Sequence, residues 1–436
     1  MATQLQDSFD VGGVMLDRPF KIRRLGHFGF YANDMAASLK FYRDLLGFQI
    51  TDVLDFAGRA NDPKDLEGKG DTNGYFMRYG TDHHAFVLFP YRVRKAIDYN
   101  DTMADGATMN QITWQVGSLE EVRHATDWFS EMGVQYGRTG RDLPGSNWHV
   151  YPVDPEGRVN ELFYGIEQIG WNGLSKPQNM YDQKFMKPPE IPYIREAEEV
   201  RRAVEAGIDM SVGTNSLEQA EASYDVGGVL LPRPFKITGI GPVRLFTDNM
   251  EETLAFYMDR LGFVVTESID WNGEACHFLR CGNDHHALAL YPMGLRAELG
   301  LTDWSSNFSF GVRMNDYQQL KAAIAWLAEQ GADIHYFPPE LFPGMDYTAF
   351  AIDPDGHAIQ LYYYMEQIGW DGRPRPADQR PLIDNDNWPE TLEPCYDSYV
   401  PNIELAGGVV VRVPLTPGTF RPDFDLIAAA ITTPSP

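Results

Sequence analysis

Cysteine is scarce in this chain: the 436 residues hold three, Cys276, Cys281 and Cys395, and no C-x-x-C pair. That excludes a disulfide framework and a thiolate-built structural zinc site. Basic side chains are also in deficit, 36 Lys and Arg against 62 Asp and Glu, for a formal charge of −26. Phosphate backbones and anionic bilayers are bound through basic patches, so no nucleic acid and no membrane is expected as a partner. Apolar runs are short, with no stretch of about 18 residues that could span a bilayer. The start, MATQLQDSFD, lacks the basic and apolar segments of an export signal. A cytoplasmic protein is therefore expected. His277 beside Cys276 sits in the alternating segment ACHFLRC, which reads as a strand rather than as a metal pair.

What is present is a folded composition, 43% hydrophobic and 13% aromatic, on a length that accommodates two or three domains. The chain is written twice. DVGGVMLDRPFKI from Asp10 returns as DVGGVLLPRPFKI from Asp225, and Phe41-Tyr42 and Leu46-Gly47-Phe48 return as Phe256-Tyr257 and Leu261-Gly262-Phe263. Asp82-His83-His84 matches Asp284-His285-His286, Asp154-Pro155-Glu156-Gly157 matches Asp353-Pro354-Asp355-Gly356, and EQIGW ends both repeats, at Trp171 and Trp370. A period near 200 residues is a whole domain rather than a solenoid unit.

Each repeat divides again. LGHFGFYA alternates as a strand, Asn33 or Asp34 can cap a helix over MAASLKFYRDLLGF, and short strands follow up to AFVLFP. The pattern then recurs: the strand QITWQV, a helix over LEEVRHATDWFSEMG with Ser118 and Glu121 as a capping box, and strands WHVYPVD and VNELFYG around a DPEG turn. The expected plan is an arm (1–19), a first domain (20–171), a connector with one helix, IREAEEVRRAVEAG (172–224), a second domain (225–371) and a tail (372–436) with a strand-like GGVVVRV.

Paired βαβββ modules with a His on the first strand, FY and LGF around the first helix, and DPxG before a last strand bearing Glu resemble the vicinal oxygen chelate superfamily. That superfamily includes glyoxalase I, fosfomycin and bleomycin resistance proteins and the type I extradiol ring-cleavage dioxygenases. The resemblance implies an α+β fold: tandem domains, each of two βαβββ modules forming a cupped mixed sheet. The four-module chain looks most like the extradiol dioxygenases, whose motif places a Glu ligand ten residues after a Tyr. Here Tyr151 leads to Glu161. By the same comparison His27 matches the first-strand ligand, and His84 the acid/base histidine.

Opening a catechol ring with O₂ calls for one ferrous ion held by three ligands on one face. The resemblance implies a second His ligand at the start of the second module, and this chain has Gln111 there. An amide oxygen can ligate, more weakly than imidazole, and some glyoxalase I enzymes use Gln at one metal position. His149, two residues before Tyr151 on a strand and so on the same face, either completes a set with His27 and Glu161 or carries a proton. The second repeat has Pro242, Asn307, Thr348, Phe350 and Gln360 at the positions of His27, Gln111, His149, Tyr151 and Glu161, so no metal is expected there.

The expectation is thus an extradiol-type dioxygenase acting on a small aromatic with O₂ at Fe(II), the metal held by His27, Gln111 and Glu161 and served by His84, His149 and Tyr151. The alternatives are a glyoxalase-like isomerase or lyase using Mn, Zn or Ni, and a binding protein without metal. A tail that long packs on its own body or on a neighbouring subunit, and the second case makes a homo-oligomer the expectation.

Overall fold

A computed structural model describes residues 8–101, 103, 108–141, 145, 147–181, 189–392, 411, 413 and 421–430. The chain forms two compact units, Met1–Asn385 and Asp386–Pro436. The second contributes one described helix, Phe424–Ala430; most of GGVVVRV, and Cys395, lie outside the described residues.

In the first repeat a hairpin of β1 (Phe9–Val11) and β2 (Val14–Leu16) precedes β3 (Arg24–Ala32), α1 (Met35–Leu39), β4 (Gln49–Asp55), β5 (Asn73–Arg78), β6 (Phe86–Pro90) and α2 (Tyr91–Ala96). The second module holds β7 (Met109–Gln115), α3 (Leu119–Glu131), β8 (Tyr136–Arg141), β9 (Trp148–Pro152) and β10 (Asn160–Tyr164). The connector contains α4 (Glu196–Glu205). The second repeat runs β11 (Tyr224–Val226), β12 (Val229–Leu231), β13 (Ile237–Thr247), α5 (Met250–Ala255), β14 (Val264–Trp271), β15 (Glu274–Arg280), β16 (Leu288–Pro292), α6 (Gly294–Glu298), β17 (Asn307–Met314), α7 (Tyr317–Glu329), β18 (Asp333–His335), β19 (Thr348–Ile352) and β20 (Ala358–Tyr362).

Each repeat makes one eight-stranded mixed sheet, ordered β4-β5-β6-β3-β7-β10-β9-β8 and β14-β15-β16-β13-β17-β20-β19-β18. Strand β3 is the hinge of the first: it pairs parallel with β6, the return of its own module, and antiparallel with β7, the start of the next. Parallel pairing needs a crossover, which α1 and the strands after it supply. Because β3 is central and covered, eight of its nine residues are buried.

Asp34 caps α1 through the Ala37 N–H, after which the chain widens into a π-helix over Lys40–Leu45; Phe256–Arg260 does the same after α5. The wider turn brings the adjacent aromatics Phe41 and Tyr42 towards one face, and both are buried. Ser118 caps α3 as expected, but the Glu121 carboxylate does not reach back to close the box. It binds the Arg23 guanidinium and the Lys21 N–H instead, tying the helix to the chain before β3.

The repeated motifs turn out to be the joint between the repeats. Tyr42 of the first FY donates to Asp353 of the second DPxG at 2.8 Å, and Tyr257 of the second FY contacts Asp154 of the first at 3.3 Å. Between these crossed bonds Phe28 stacks on Phe310 at 4.7 Å and Phe30 on His357 at 3.9 Å. Each of these buried phenylalanines contributes roughly 1.5–3 kcal/mol of apolar burial, which makes the joint part of the core. The start of the tail packs on this unit too, through the Arg380–Glu267 ion pair.

Candidate metal and substrate site

A cavity of about 700 Å³ is lined chiefly by the first sheet, with Arg94 of α2 also in its wall. All eight strands contribute to its wall, from Leu54 on β4 to Arg138 on β8, so the sheet curves around it. The second repeat reaches its rim with Asp248, Asn249 and Ser306. His27, His84, Gln111, His149, Tyr151 and Glu161, six residues spread over 135 positions of sequence, all line it.

At its base Glu161 is fully buried. Its Oε2 lies 3.1 Å from His27 Nε2 and 2.8 Å from the Gln111 amide, which is itself 2.8 Å from His27 Nε2. Thr113 adds a hydroxyl donor to Oε2 at 3.2 Å, and Asn147 donates to Oε1 at 2.5 Å. Burial would raise the Glu161 pKa, but His27 chiefly, then His149 and Arg138, outweigh it and hold the carboxylate below its ordinary range. With Glu161 ionised, no placement of protons satisfies the three short contacts. If the amide donates to both partners, His27 Nε2 and Glu161 Oε2 face each other as acceptors. If His27 donates to Glu161, the amide meets either an N–H with its own N–H or a carboxylate with its carbonyl.

A cation removes the conflict, since all three groups then offer lone pairs. Donors about 2.1 Å from one ion and cis to each other sit about 3.0 Å apart, which is the observed spacing. Imidazole, carboxylate and amide oxygen form a set suited to Fe, Mn, Zn or Ni. Among the described residues no three His, Cys, Asp or Glu side chains form a metal group, so the trio depends on the Gln111 amide. The buried His27 Nδ1 has no partner, and thus lacks the second bond that usually orients a ligating imidazole.

His149 is on the other side of the carboxylate, Nδ1 3.9 Å from Glu161 Oε1, and neither of its ring nitrogens is hydrogen-bonded. It does not join the His27–Gln111 corner. Burial brings its pKa down to about 4 against the pull of Glu161, which leaves it neutral. Tyr151, on the same face of β9, has its hydroxyl pushed well above the ordinary phenol range by burial and then by the Glu161 charge, while Arg138 stacks over its ring at 5.1 Å.

His84 packs against His27, ring centres 4.3 Å apart, at the end of a chain that the sequence did not reveal. Asp52 Oδ2 meets His83 Nε2 at 2.7 Å, and His83 Nδ1 meets His84 Nδ1 at 3.0 Å. The Asp52 carboxylate calls for a proton on His83 Nε2. With that as the ring's one proton, His83 accepts at Nδ1, His84 carries its proton on Nδ1, and His84 Nε2 is a bare acceptor. Burial first, then His27 and His83, hold the His84 pKa well below the usual range. Asp52 and Glu267 occupy equivalent places in the two repeats, and that was the available signal for the relay.

The second repeat repeats the relay as Glu267–His285–His286 and then diverges. His286 Nε2 accepts from the guanidinium of Arg244 at 3.0 Å. The fully buried Arg244 also donates to Gln360, which stands where Glu161 does, to Ser309 at 3.3 Å, and to Met345 sulfur at 2.9 Å. The ladders pair Thr113 with Glu161 and Gly311 with Gln360, so the residue equivalent to Gln111 is Ser309 and not Asn307. In this repeat a positive charge of the chain itself occupies the corner between those residues. Position-by-position comparison missed it because Arg244 reaches in from two residues beyond Pro242.

The family model of the Glyoxalase/Bleomycin resistance protein/Dioxygenase superfamily matches residues 24–162 and 239–361, and the chain belongs to that superfamily. It is similar to Metapyrocatechase 2 of Cupriavidus necator, 26% identical over 183 residues, covering 40% of this chain and 48% of that protein. It is also similar to the manganese-dependent 2,3-dihydroxybiphenyl 1,2-dioxygenase of Geobacillus genomosp. 3, 28% identical over 134 residues, 30% of this chain and 38% of that one. The chain thus spans about half or less of the curated relatives it matches. Among solved structures it shares its fold with BphC, a halotolerant catechol dioxygenase, at a TM-score of 0.50 and 14% identity over 81% of this chain and 91% of that one. No helix among the described residues is long and apolar enough to cross a membrane.

Proposed function

We propose that this chain, as a member of the Glyoxalase/Bleomycin resistance protein/Dioxygenase superfamily, is an extradiol-type dioxygenase. It opens a catechol-like ring with O₂ at one Fe(II) held by His27, Glu161 and Gln111 in the first repeat. The observation that carries the reading is the three-way contact of those side chains, which no protonation state satisfies while Glu161 is ionised and which a cation does. The name of the Geobacillus relative, a dihydroxybiphenyl dioxygenase, supports the reaction class.

When bound, the ion supplies a Lewis-acid centre with positions left for the two ring oxygens and O₂. The rest is done by the chain. His84 Nε2, kept bare by the Asp52–His83 relay, accepts a phenolic proton and returns it later to the opened product. The Tyr151 hydroxyl stays protonated and donates a hydrogen bond to a developing oxygen anion. Neutral His149 is a second proton acceptor on the far side of Glu161. Phe76 and Phe89 give the ring an apolar wall. Both oxygen atoms end in the product, so no external reductant is consumed.

The test is metal analysis of protein produced with iron supplementation, followed by catechol addition in an oxygen electrode. One O₂ consumed per catechol with a yellow ring-fission product is expected, and Glu161→Gln should lose both metal and uptake. Bound metal without uptake would favour an isomerase or lyase, and protein that takes up no metal would overturn the reading.

A further inference from the structure

Four guanidinium groups line the cavity and the ring-opening chemistry uses none of them: Arg158, which is paired with Asp154 and Glu156, and Arg59, Arg94 and Arg138. In a chain with 26 more acidic than basic residues, the arginines lining this cavity outnumber its carboxylates Glu156, Glu161 and Asp248. Arg138 lies by Tyr151 near the trio. The other two converge elsewhere. Arg59 follows β4 and Arg94 sits on α2, yet their guanidinium carbons lie 5.0 and 4.8 Å from the centre of a single ring, the buried Phe56, and Arg94 also reaches within 5.9 Å of Phe89.

Two cations sharing one phenyl ring repel each other, and neither forms an ion pair with a described carboxylate. The Nε of Arg94 is buried without a partner. The cavity's own carboxylates do not answer them: Glu161 belongs to the trio, Glu156 binds Arg158 and the N–H groups of Asp248 and Asn249, and Asp248 is exposed at the rim. Arg59 is exposed and Arg94 half-buried, so an anion entering from outside can reach both. Flat guanidinium forks match the paired oxygens of a carboxylate, and the apolar ring beneath them suits an aromatic body. A cavity of about 700 Å³ accommodates a substituted single ring.

We propose that the substrate is a catecholic aromatic bearing a carboxylate, with Arg59 and Arg94 holding the carboxylate while the ring oxygens face His27, Gln111 and Glu161. This rests on the ring-cleavage reading for the diol end, and on Arg59 and Arg94 alone for the anionic end.

The experiment separates the two. The iron-loaded protein is titrated anaerobically with 3,4-dihydroxyphenylacetate and with catechol, and metal-stripped protein with phenylacetate, each followed by calorimetry. Wild type should bind the carboxylated diol at least about tenfold more tightly than catechol, as expected for hydrogen bonds to a charged group. The Arg59→Gln/Arg94→Gln double variant, its fold checked by circular dichroism, should bring that ratio near one. Arg94→Lys should retain part of the preference. Phenylacetate should bind wild type and lose affinity in the double variant. A wild-type ratio near one, or a ratio that survives in the double variant, overturns the proposal. Preference without ring cleavage would support the carboxylate clamp and refute the dioxygenase reading; cleavage without preference would do the reverse.

Discussion

Replacing Tyr42 by Phe removes one oxygen from the joint between the repeats and leaves the ring in its place against Phe86, 4.3 Å away. That oxygen donates to Asp353 Oδ2 at 2.8 Å, between two buried residues. The other carboxylate oxygen is served by the N–H groups of Asp355 and His357, so Oδ2 depends on Tyr42. A buried hydrogen bond to a charged group contributes about 1.5–3 kcal/mol, and a loss near 2 kcal/mol is expected at pH 8. The pH dependence follows from Asp353, whose pKa burial raises to about 6 against the hydrogen bonds that lower it. A folded pKa above the unfolded one means the native state holds the proton more tightly. The Asp353 contribution to stability therefore increases as pH falls from about 6 towards 4, by roughly 3 kcal/mol at most. Removing the Tyr42 donor raises that pKa further. The deficit of the variant should thus be complete above about pH 7 and shrink to about half at pH 4–5, where a neutral acid needs the donor less. Urea unfolding followed by both fluorescence and circular dichroism at pH 5 and 8 measures it. An equal deficit at both pH values, or one under about 0.5 kcal/mol at pH 8, would refute the account.

Gln111→His should raise Fe(II) affinity by about tenfold or more in a metal titration, since imidazole is the stronger ligand; an unchanged affinity would remove position 111 from the ligand set. Arg244→Gln leaves His286 and Gln360 without their donor and opens space in a packed core, for a loss of about 2–4 kcal/mol in denaturant unfolding. A change below about 1 kcal/mol would show that Arg244 is dispensable there. Gly145→Ala places a methyl 2.9 Å from the His84 ring at a backbone φ of +88°, so activity should fall while metal content holds; full activity would argue against a catalytic His84.

The fold was legible because duplication prints each module twice, and the spacing from Tyr151 to Glu161 led to the base of the cavity. Sequence carried less where function depends on pairs far apart. Tyr42 and Asp353 are 311 residues apart, and each sits in a motif that already had a local explanation. The register of β7 and β17 is set by irregularities in the ladders with β3 and β13, which moved the equivalent of Gln111 from Asn307 to Ser309. Arg244 escaped because a long side chain can fill a site from the next inward position. Arg59 and Arg94 meet only where the end of β4 and α2 fold over Phe56.

Arg244 also changes how the two halves would respond to their surroundings. An ion drawn from solution stabilises a site only in proportion to its concentration over its dissociation constant. A guanidinium tethered to the backbone has no concentration and cannot be chelated. On the proposed reading, the second half of the molecule carries a permanent counterpart of the ion that the first half would acquire, and the crossed tyrosines join the two.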